Sequence, residues 1–396
     1  FCMIHFEAKK HKIEGIKDPN APTAWQVFKR EWYYALPLVI ITVLMIMGKS
    51  PGYSAYWATL SCIAVSWVQK ETRMGPIEIW EAIQTGARNT LIIGATLGVI
   101  GIIVGVISLT GIGLKFSDII ISLAGGNLLP AILLVGLASL VLGMGVPVTA
   151  AYLITAVLAV PPLMEMGVVL ICAHMIVYWF SQDSNITPPV CVAAYAGAAI
   201  AGSDPWKTGW TAFKFAKLLY VVPILFAYTP QILFEGKPLV APEINDPIMG
   251  AMVLEFQAEP GDTVEIGDPV LKVMDGEEIR EITASRDGMI KEFTVQGGAY
   301  LESGATIAET SAKPTKVVSS MFSAVLGTLA FSALTMGFWI RKTNLIEWLV
   351  LAVATVLLYW PTLVTDAAGL LLVAAVWMSQ KARNRRDEQA GAAATT

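Results

Sequence analysis

Two consecutive apolar stretches set the strongest constraint on this chain. Residues 127–167 and 168–201 are each longer than one crossing needs, since about 20 residues of helix span the hydrocarbon. Each is also interrupted near its middle. The first carries LGMGVPVTAA, in which Gly143, Gly145 and Pro147 break the apolar run. The second carries SQDSNITPPV, Ser181 to Val190, with an acid, hydroxyls, an amide and two consecutive prolines. Proline removes a backbone donor and breaks a helix. Irregular backbone at membrane depth survives only inside protein or beside a water-filled cavity. The first stretch therefore predicts a re-entrant hairpin over 127–167 with its tip at mid-membrane, and the second a discontinuous helix over 168–201.

The rest of the chain is consistent with that environment. It is 55% hydrophobic and 15% charged, with mean hydropathy +0.62, values of a polytopic membrane protein rather than a soluble one. A basic segment, residues 1–32, precedes apolar runs at 33–48 and 53–68. A polar stretch with an apolar stripe at Ile79, Trp80 and Ile83 suits a helix lying at the interface, and a Gly-rich run follows at 89–110. Asp204 and Pro205 fit the N-cap and first turn of a helix, ahead of a span at 218–234. Further spans are expected at 317–340, 345–360 and 363–379, within a C-terminal membrane segment 317–380, before a basic, disordered tail at 381–396.

Basic loops stay cytoplasmic. With residues 1–32 inside and the hairpin returning to its own side, the count puts residues 243–313 outside and both Arg341–Lys342 and the tail inside. Four scattered cysteines form no CxxC or Cys/His cluster, so neither a disulfide framework nor a zinc site is indicated. Nothing in the sequence points to a nucleic-acid partner.

Residues 243–313 differ in kind. They hold 15 Asp/Glu and 5 Lys/Arg, with Gly turns between short Val/Ile strands. GDTVEIGDPVL (261–271) and GAYLESGATIA (298–308) match at an offset of 37 residues, which predicts a small barrel-sandwich of two similar halves. This region resembles the biotinyl/lipoyl carrier domain. Such a carrier needs a lysine at its hairpin tip, but here the tip reads MDGEEIRE and Glu277 takes the lysine's place. A carboxylate cannot form the amide to a prosthetic group, so no covalent cofactor is expected and a docking or structural role outside the membrane is the better reading.

The motifs LVLGMGVPVTAAYLITAVLAVPPLMEMGV and AHMIVYWFSQDSNITPPVCVAAYAGAAIAGSDPWKTGW, with the sequence around them from about residue 5 to 235, resemble the large permease subunit of TRAP transporters of the TAXI-associated fused type. The resemblance implies a bacterial inner-membrane permease, not an enzyme. It also implies a sodium-driven elevator mechanism, a periplasmic TAXI-type binding protein as partner and a small organic anion as substrate. Such permeases contain two inverted repeats. Residues 33–240 supply one, so the resemblance places an upstream N-terminal repeat beside it. The expected fold is an all-α polytopic bundle, half of an elevator-type transporter, with an extramembrane β barrel-sandwich.

Free carbonyls and hydroxyls at a helix break are hard ligands suited to Na⁺, and half-helix N-termini favour a carboxylate. Gly143, Gly145, Val146 and Thr149 at the hairpin tip, facing Ser184, Asn185, Ile186 and Thr187 at the second break, are the candidate site. Na⁺ is assigned to Gly143, Gly145, Thr149, Ser184 and Thr187, while Pro147, Pro188 and Pro189 hold the breaks open. Asp183 is a possible direct participant. His174 is another, although a histidine on an apolar helix is more often a packing residue. The bland alternative for each break is a kink re-satisfied by neighbouring helices. At the level of the whole protein two readings compete with the importer: a subunit of a biotin-dependent sodium-pumping decarboxylase, and a non-transporting scaffold.

Overall fold

Caps and breakers set most of the boundaries. The structure, a computed structural model, describes residues 1–13, 22–144, 146, 148–245, 250–360 and 362–394. The chain divides into two units, Glu14–Gly101 and Phe1–Ile13 with Ile102–Thr396. After α1 (Cys2–Lys10), α2 (Ala24–Glu31) starts at a capping box in which Thr23 Oγ1 accepts from Gln26 N at 3.3 Å and Gln26 Oε1 accepts from Thr23 N at 2.8 Å. Helix α3 (Leu36–Ile46) packs on α4 (Pro51–Ser66), whose N-cap is Ser50 with Pro51 behind it. Helix α5 (Pro76–Thr110) follows.

The larger unit carries α6 (Ile112–Ala124), α7 (Leu128–Gly143), α8 (Val148–Glu165), α9 (Leu170–Ser181), α10 (Val192–Ala201), α11 (Pro205–Ala216) and α12 (Leu218–Tyr228). As expected from the sequence, Asp204 caps α11, its Oδ1 accepting from Lys207 N at 2.7 Å, with Pro205 at the first position. Helices α6 to α9 and α12 share a core in which Ile132, Val135, Leu163, Ile176, Val177 and Phe180 are buried. After the strands come α13 (Pro314–Met336), α14 (Leu345–Leu358) and α15 (Leu363–Ala394). Buried Glu347 ties α14 to α15: Gln380 Nε2 donates to it at 3.1 Å, and Arg383 pairs with it.

Among the described residues four helical stretches are long and apolar enough to cross a membrane: α5, α8, Pro205–Tyr228 and α13. Helices α7, α10 and α14 are apolar but shorter. Three sequence expectations need correction. The interfacial helix and the span at 89–110 are one helix, α5, because no proline interrupts Ile77–Thr110. The span placed at 218–234 ends as an α-helix at Tyr228 and continues as a 3₁₀ turn, Pro230–Leu233, where Pro230 withholds a donor. The tail expected to be disordered extends α15 to Ala394, in keeping with its Ala, Arg, Gln and Glu content.

Between α12 and α13 stand eight strands: β1 (Leu239–Val240), β2 (Ala251–Phe256), β3 (Thr263–Val264), β4 (Pro269–Asp275), β5 (Glu278–Thr283), β6 (Gly288–Phe293), β7 (Tyr300–Leu301) and β8 (Thr306–Ser311). They form two four-stranded sheets, ordered β1-β8-β6-β3 and β5-β4-β2-β7. The 37-residue repeat is visible in three dimensions. Gly261 and Gly298 both have φ above +80°, as Gly267 does, with Gly304 at +78°, a conformation that Gly adopts at no steric cost. Val264 and Leu301 are both buried, as are Val270 and Ile307. The halves exchange strands, since β2 of the first pairs with β7 of the second and β3 pairs with β6. The chain enters and leaves at one place: Gly236 N donates to Thr310 O at 2.8 Å and Ala312 N to Phe234 O at 3.1 Å.

The β4–β5 hairpin turns through Gly276 and Glu277, with Asp275 opposite Glu278. Asp275 is buried; both its carboxylate oxygens accept from Asn245 N, at 2.9 and 3.0 Å, and Arg280 Nη1 donates to it at 2.6 Å. Asp275→Ala removes these charge-assisted bonds and is expected to destabilise the hairpin by about 2 kcal/mol. Amide exchange measured along β4 and β5 should then accelerate roughly thirty-fold, at about 1.4 kcal/mol per decade. Unchanged exchange would show that the clasp contributes nothing.

Candidate functional site

The two breaks predicted from sequence meet. Helix α7 ends at Gly143 and packs on the 3₁₀ turn Asp183–Asn185 that follows α9. A Cβ on Gly143 would lie 3.0 Å from Ser184 Oγ and 3.2 Å from Ser184 Cβ. Only glycine lets the end of α7 approach Ser184 so closely. One turn earlier on the same face of α9, Phe180 lies against Gly136, whose Cβ would sit 3.0 Å from the ring.

The second break spans 182–191. Its turn closes through Ile186 N and Thr187 N, which donate to Asp183 O at 3.1 and 2.9 Å, and Cys191 N donates to Thr187 O at 3.2 Å. The Pro188–Pro189 peptide is cis. Tyr195 Oη donates to Pro189 O at 3.0 Å. Helix α11 comes close at Gly209, where a Cβ would sit 2.8 Å from the Cys191 sulfur.

Polar groups converge here inside an apolar bundle. Asp183 and Ser184 are 1% and 2% exposed, and Thr187 is 8% exposed. Ser184 Oγ donates to Ser181 O at 3.4 Å. Thr187 Oγ1 lies 3.2 Å from Tyr220 Oη on α12, and Tyr220 also faces the Asp183 carboxyl. Asp183 Oδ1 and Asn185 Nδ2 are buried without a hydrogen-bond partner among the described residues. Buried polar atoms are nearly always paired, so unpaired ones gathered at a helix break mark a place built for a further partner. The carboxylate and hydroxyl oxygens of Asp183, Ser184 and Thr187 are of the kind that suits a hard cation, whereas the unpaired Asn185 Nδ2 is an N–H donor and suits an acceptor.

The candidates separate on these coordinates. Gly143, Ser184 and Thr187 belong to the meeting point, with Asp183 and Asn185 beside them. Val146 and Ile186 are half-buried, and Pro188 and Pro189 lie within the break. Thr149, in the first turn of α8, is exposed and makes no side-chain hydrogen bond among the described residues. Gly145 and Pro147 lie outside the described residues. His174 sits nine positions before Asp183, and its Nδ1 is 2.9 Å from Tyr152 Oη, joining α9 to α8. Tyr220 was not anticipated. Its signal was present: a phenol in the apolar run LLYVVP needs a partner for its hydroxyl once buried.

Comparison with known families agrees with both parts of the chain. Residues 1–232 match the family described as "Tripartite ATP-independent periplasmic transporter, DctM component". Residues 237–310 match the family described as "Biotin-requiring enzyme". No curated protein matches the chain.

The contact between the breaks is testable through stability. Gly143→Ala forces a methyl against Ser184 and is expected to cost about 1–3 kcal/mol, as overpacking does. Adding Ser184→Gly should restore most of the loss in a thermal melt of the purified protein. A Gly143→Ala protein as stable as the parent would mean that α7 and the turn are not in contact.

Proposed function

The chain belongs to the DctM component family of tripartite ATP-independent periplasmic transporters, and from that premise we propose that it is a sodium-coupled importer of a small organic anion, a carboxylate. Members of this family are membrane permeases that work with a periplasmic binding protein and a small membrane component. The observation that carries the finer reading is the juxtaposition of Gly143 with Ser184 beside the unpaired Asp183 Oδ1. Oxygen donors at a broken helix suit Na⁺, and the free N–H groups at half-helix ends suit a carboxylate. Asp183, Ser184 and Thr187 are the residues that would hold the ion. Thr187 also positions Tyr220, which closes the site from α12.

In this proposal the pair α7 and α8 is a re-entrant hairpin, and with α9 and α10 it moves as one body across the bilayer in an elevator mechanism. The binding protein is of the TAXI type and the membrane is the bacterial inner membrane. The acidic strand domain docks a partner and carries no prosthetic group. Supporting this last point, the hairpin tip consists of Asp275, Gly276 and Glu277, and the nearest preceding lysine, Lys272, pairs with Glu255 at 3.6 Å.

The likeness of residues 237–310 to biotin-requiring enzymes favours a second reading, a subunit of a sodium-pumping decarboxylase. Streptavidin blotting of the protein from its own cells separates the two. The transport reading expects no signal, and a biotinylated band would overturn it. For transport itself, the chain is reconstituted in liposomes with its small membrane component and binding protein, and uptake of radiolabelled carboxylates is followed. Uptake should require an inward Na⁺ gradient and fall about tenfold in Thr187→Ala, the effect of losing about 1.4 kcal/mol, while Thr187→Ser keeps most of it. Uptake indifferent to Na⁺ would remove the ion from the break.

A further inference from the structure

The strand domain is strongly acidic, yet its uncompensated cations gather at one place. Of its five cations, four hold carboxylate partners: Lys272 with Glu255 at 3.6 Å, Arg280 with Asp275 at 2.6 Å, Lys291 with Glu235 at 2.6 Å and Lys313 with Glu265 at 3.1 Å. Arg286 makes no ion pair among the described residues, and neither does Lys237, which enters β1 half-buried. Both line a cavity of 370 Å³ where α12, α13 and the strand domain meet, together with Lys313, Lys316 and Asp287.

Three features of this cavity work against stability and call for a reason. Burial, and then the like charge of Arg286, push the Lys237 ammonium below its ordinary pKa. Lys313 and Lys316 stand at the N-cap and first turn of α13, where the helix dipole disfavours cations and where no acidic residue occurs. The one carboxylate on the wall, Asp287, is already committed to Lys316 at 3.1 Å and accepts from Ile266 N at 3.1 Å, which hold its carboxyl below the usual range. With Lys313 held by Glu265 and Lys316 by Asp287, Lys237 and Arg286 are the two cations on the wall without a carboxylate partner among the described residues.

The surroundings are amphipathic. The Tyr228 and Trp360 rings, 6.0 Å apart, line the same cavity. A second cavity of 240 Å³ shares Tyr228, Lys237 and Arg286 and continues along Leu128, Met166, Val169 and Phe226. Cations beside apolar helix ends, with a Tyr–Trp pair, are arranged as at a membrane interface.

We propose that this cavity binds the phosphate group of an anionic membrane lipid, held by Lys237, Arg286 and the N-terminus of α13, with the glycerol and upper chain against Tyr228 and Trp360. Arg286 supplies a planar fork for two phosphate oxygens, and the positive end of the α13 dipole adds to its field, although Pro314 has no N–H and Lys316 N already donates to Lys313 O at 2.9 Å. The Leu128, Met166, Val169 and Phe226 side chains beside the cations in the second cavity favour a lipid over free phosphate as the source.

The test uses the full chain in a neutral detergent, titrated with dihexanoyl phosphatidylglycerol, dihexanoyl phosphatidylcholine or inorganic phosphate, with binding read by native mass spectrometry and thermal shift. Phosphatidylglycerol should saturate one site, and Lys237→Gln/Arg286→Gln should weaken it about tenfold, the loss of about 1.4 kcal/mol. Lys342→Gln, beyond the far end of α13, should leave it unchanged. Arg286 is exposed, so Arg286→Gln alone, about threefold weaker, decides the matter if the double variant fails to fold. Phosphatidylglycerol binding that ignores both substitutions, or phosphatidylcholine binding equally well, would overturn the proposal. Saturation by inorganic phosphate without lipid binding would overturn the lipid source and leave a soluble phosphate in its place.

Discussion

A bilayer offers no water to a backbone that leaves its helix, and the segment 182–191 leaves its helix in the middle of an apolar bundle. Everything around it follows from that. Its N–H groups turn back onto Asp183 O and Thr187 O, its Pro189 carbonyl is met by Tyr195, the Thr187 hydroxyl is met by Tyr220, and the Ser184 hydroxyl donates to Ser181 O. Two neighbouring helices draw close by presenting hydrogen atoms where side chains would be, α7 at Gly143 and α11 at Gly209. The break is thus held by protein on several sides, the condition irregular backbone needs wherever water is excluded. The atoms still without partners, Asp183 Oδ1 and Asn185 Nδ2, are the ones a ligand would reach.

Much of this was legible because breakers are local. Gly143, Pro188 and Pro189 announce where helical structure is broken, and Asp204 with Pro205 announces where a helix starts, without reference to anything distant. The meeting of Gly143 with Ser184 follows from the same logic, since two adjacent broken stretches have only each other's polar backbone to face. The need of Tyr220 for a partner was legible but the partner was not: Thr187 lies 33 residues away, and no local rule links them. The unbroken α5 was missed because Arg88 and Asn89 mark a change of solvent preference, which is not a change of backbone. The end of α15 was missed in the same way, its polar composition being that of a disordered tail and of a solvated helix alike.

The strand domain shows how a repeat can be read while its assembly cannot. The 37-residue offset gives two halves, and their matching glycines and buried Val/Leu positions agree in three dimensions. That β2 pairs with β7 and β3 with β6 is a property of the dimer-like exchange between halves, and neither half encodes it alone. Asp275 is likewise read differently in three dimensions. In the sequence it is one more acid at a hairpin tip; in the fold it is a buried acceptor joining the tip to Asn245 and Arg280.

The chain enters and leaves the strand domain through adjacent hydrogen bonds, Gly236 to Thr310 and Phe234 to Ala312. A module whose two ends are side by side adds no span between the helices it separates. Helices α12 and α13 meet the same distance requirement whether the whole of residues 229–313 or a tight turn connects them, the entropy cost of a longer loop being only about 0.6 kcal/mol per doubling. Such a module can be acquired, lost or exchanged in a single genetic step without reordering the helices on either side. Its ancestry therefore need not be the ancestry of the bundle that carries it.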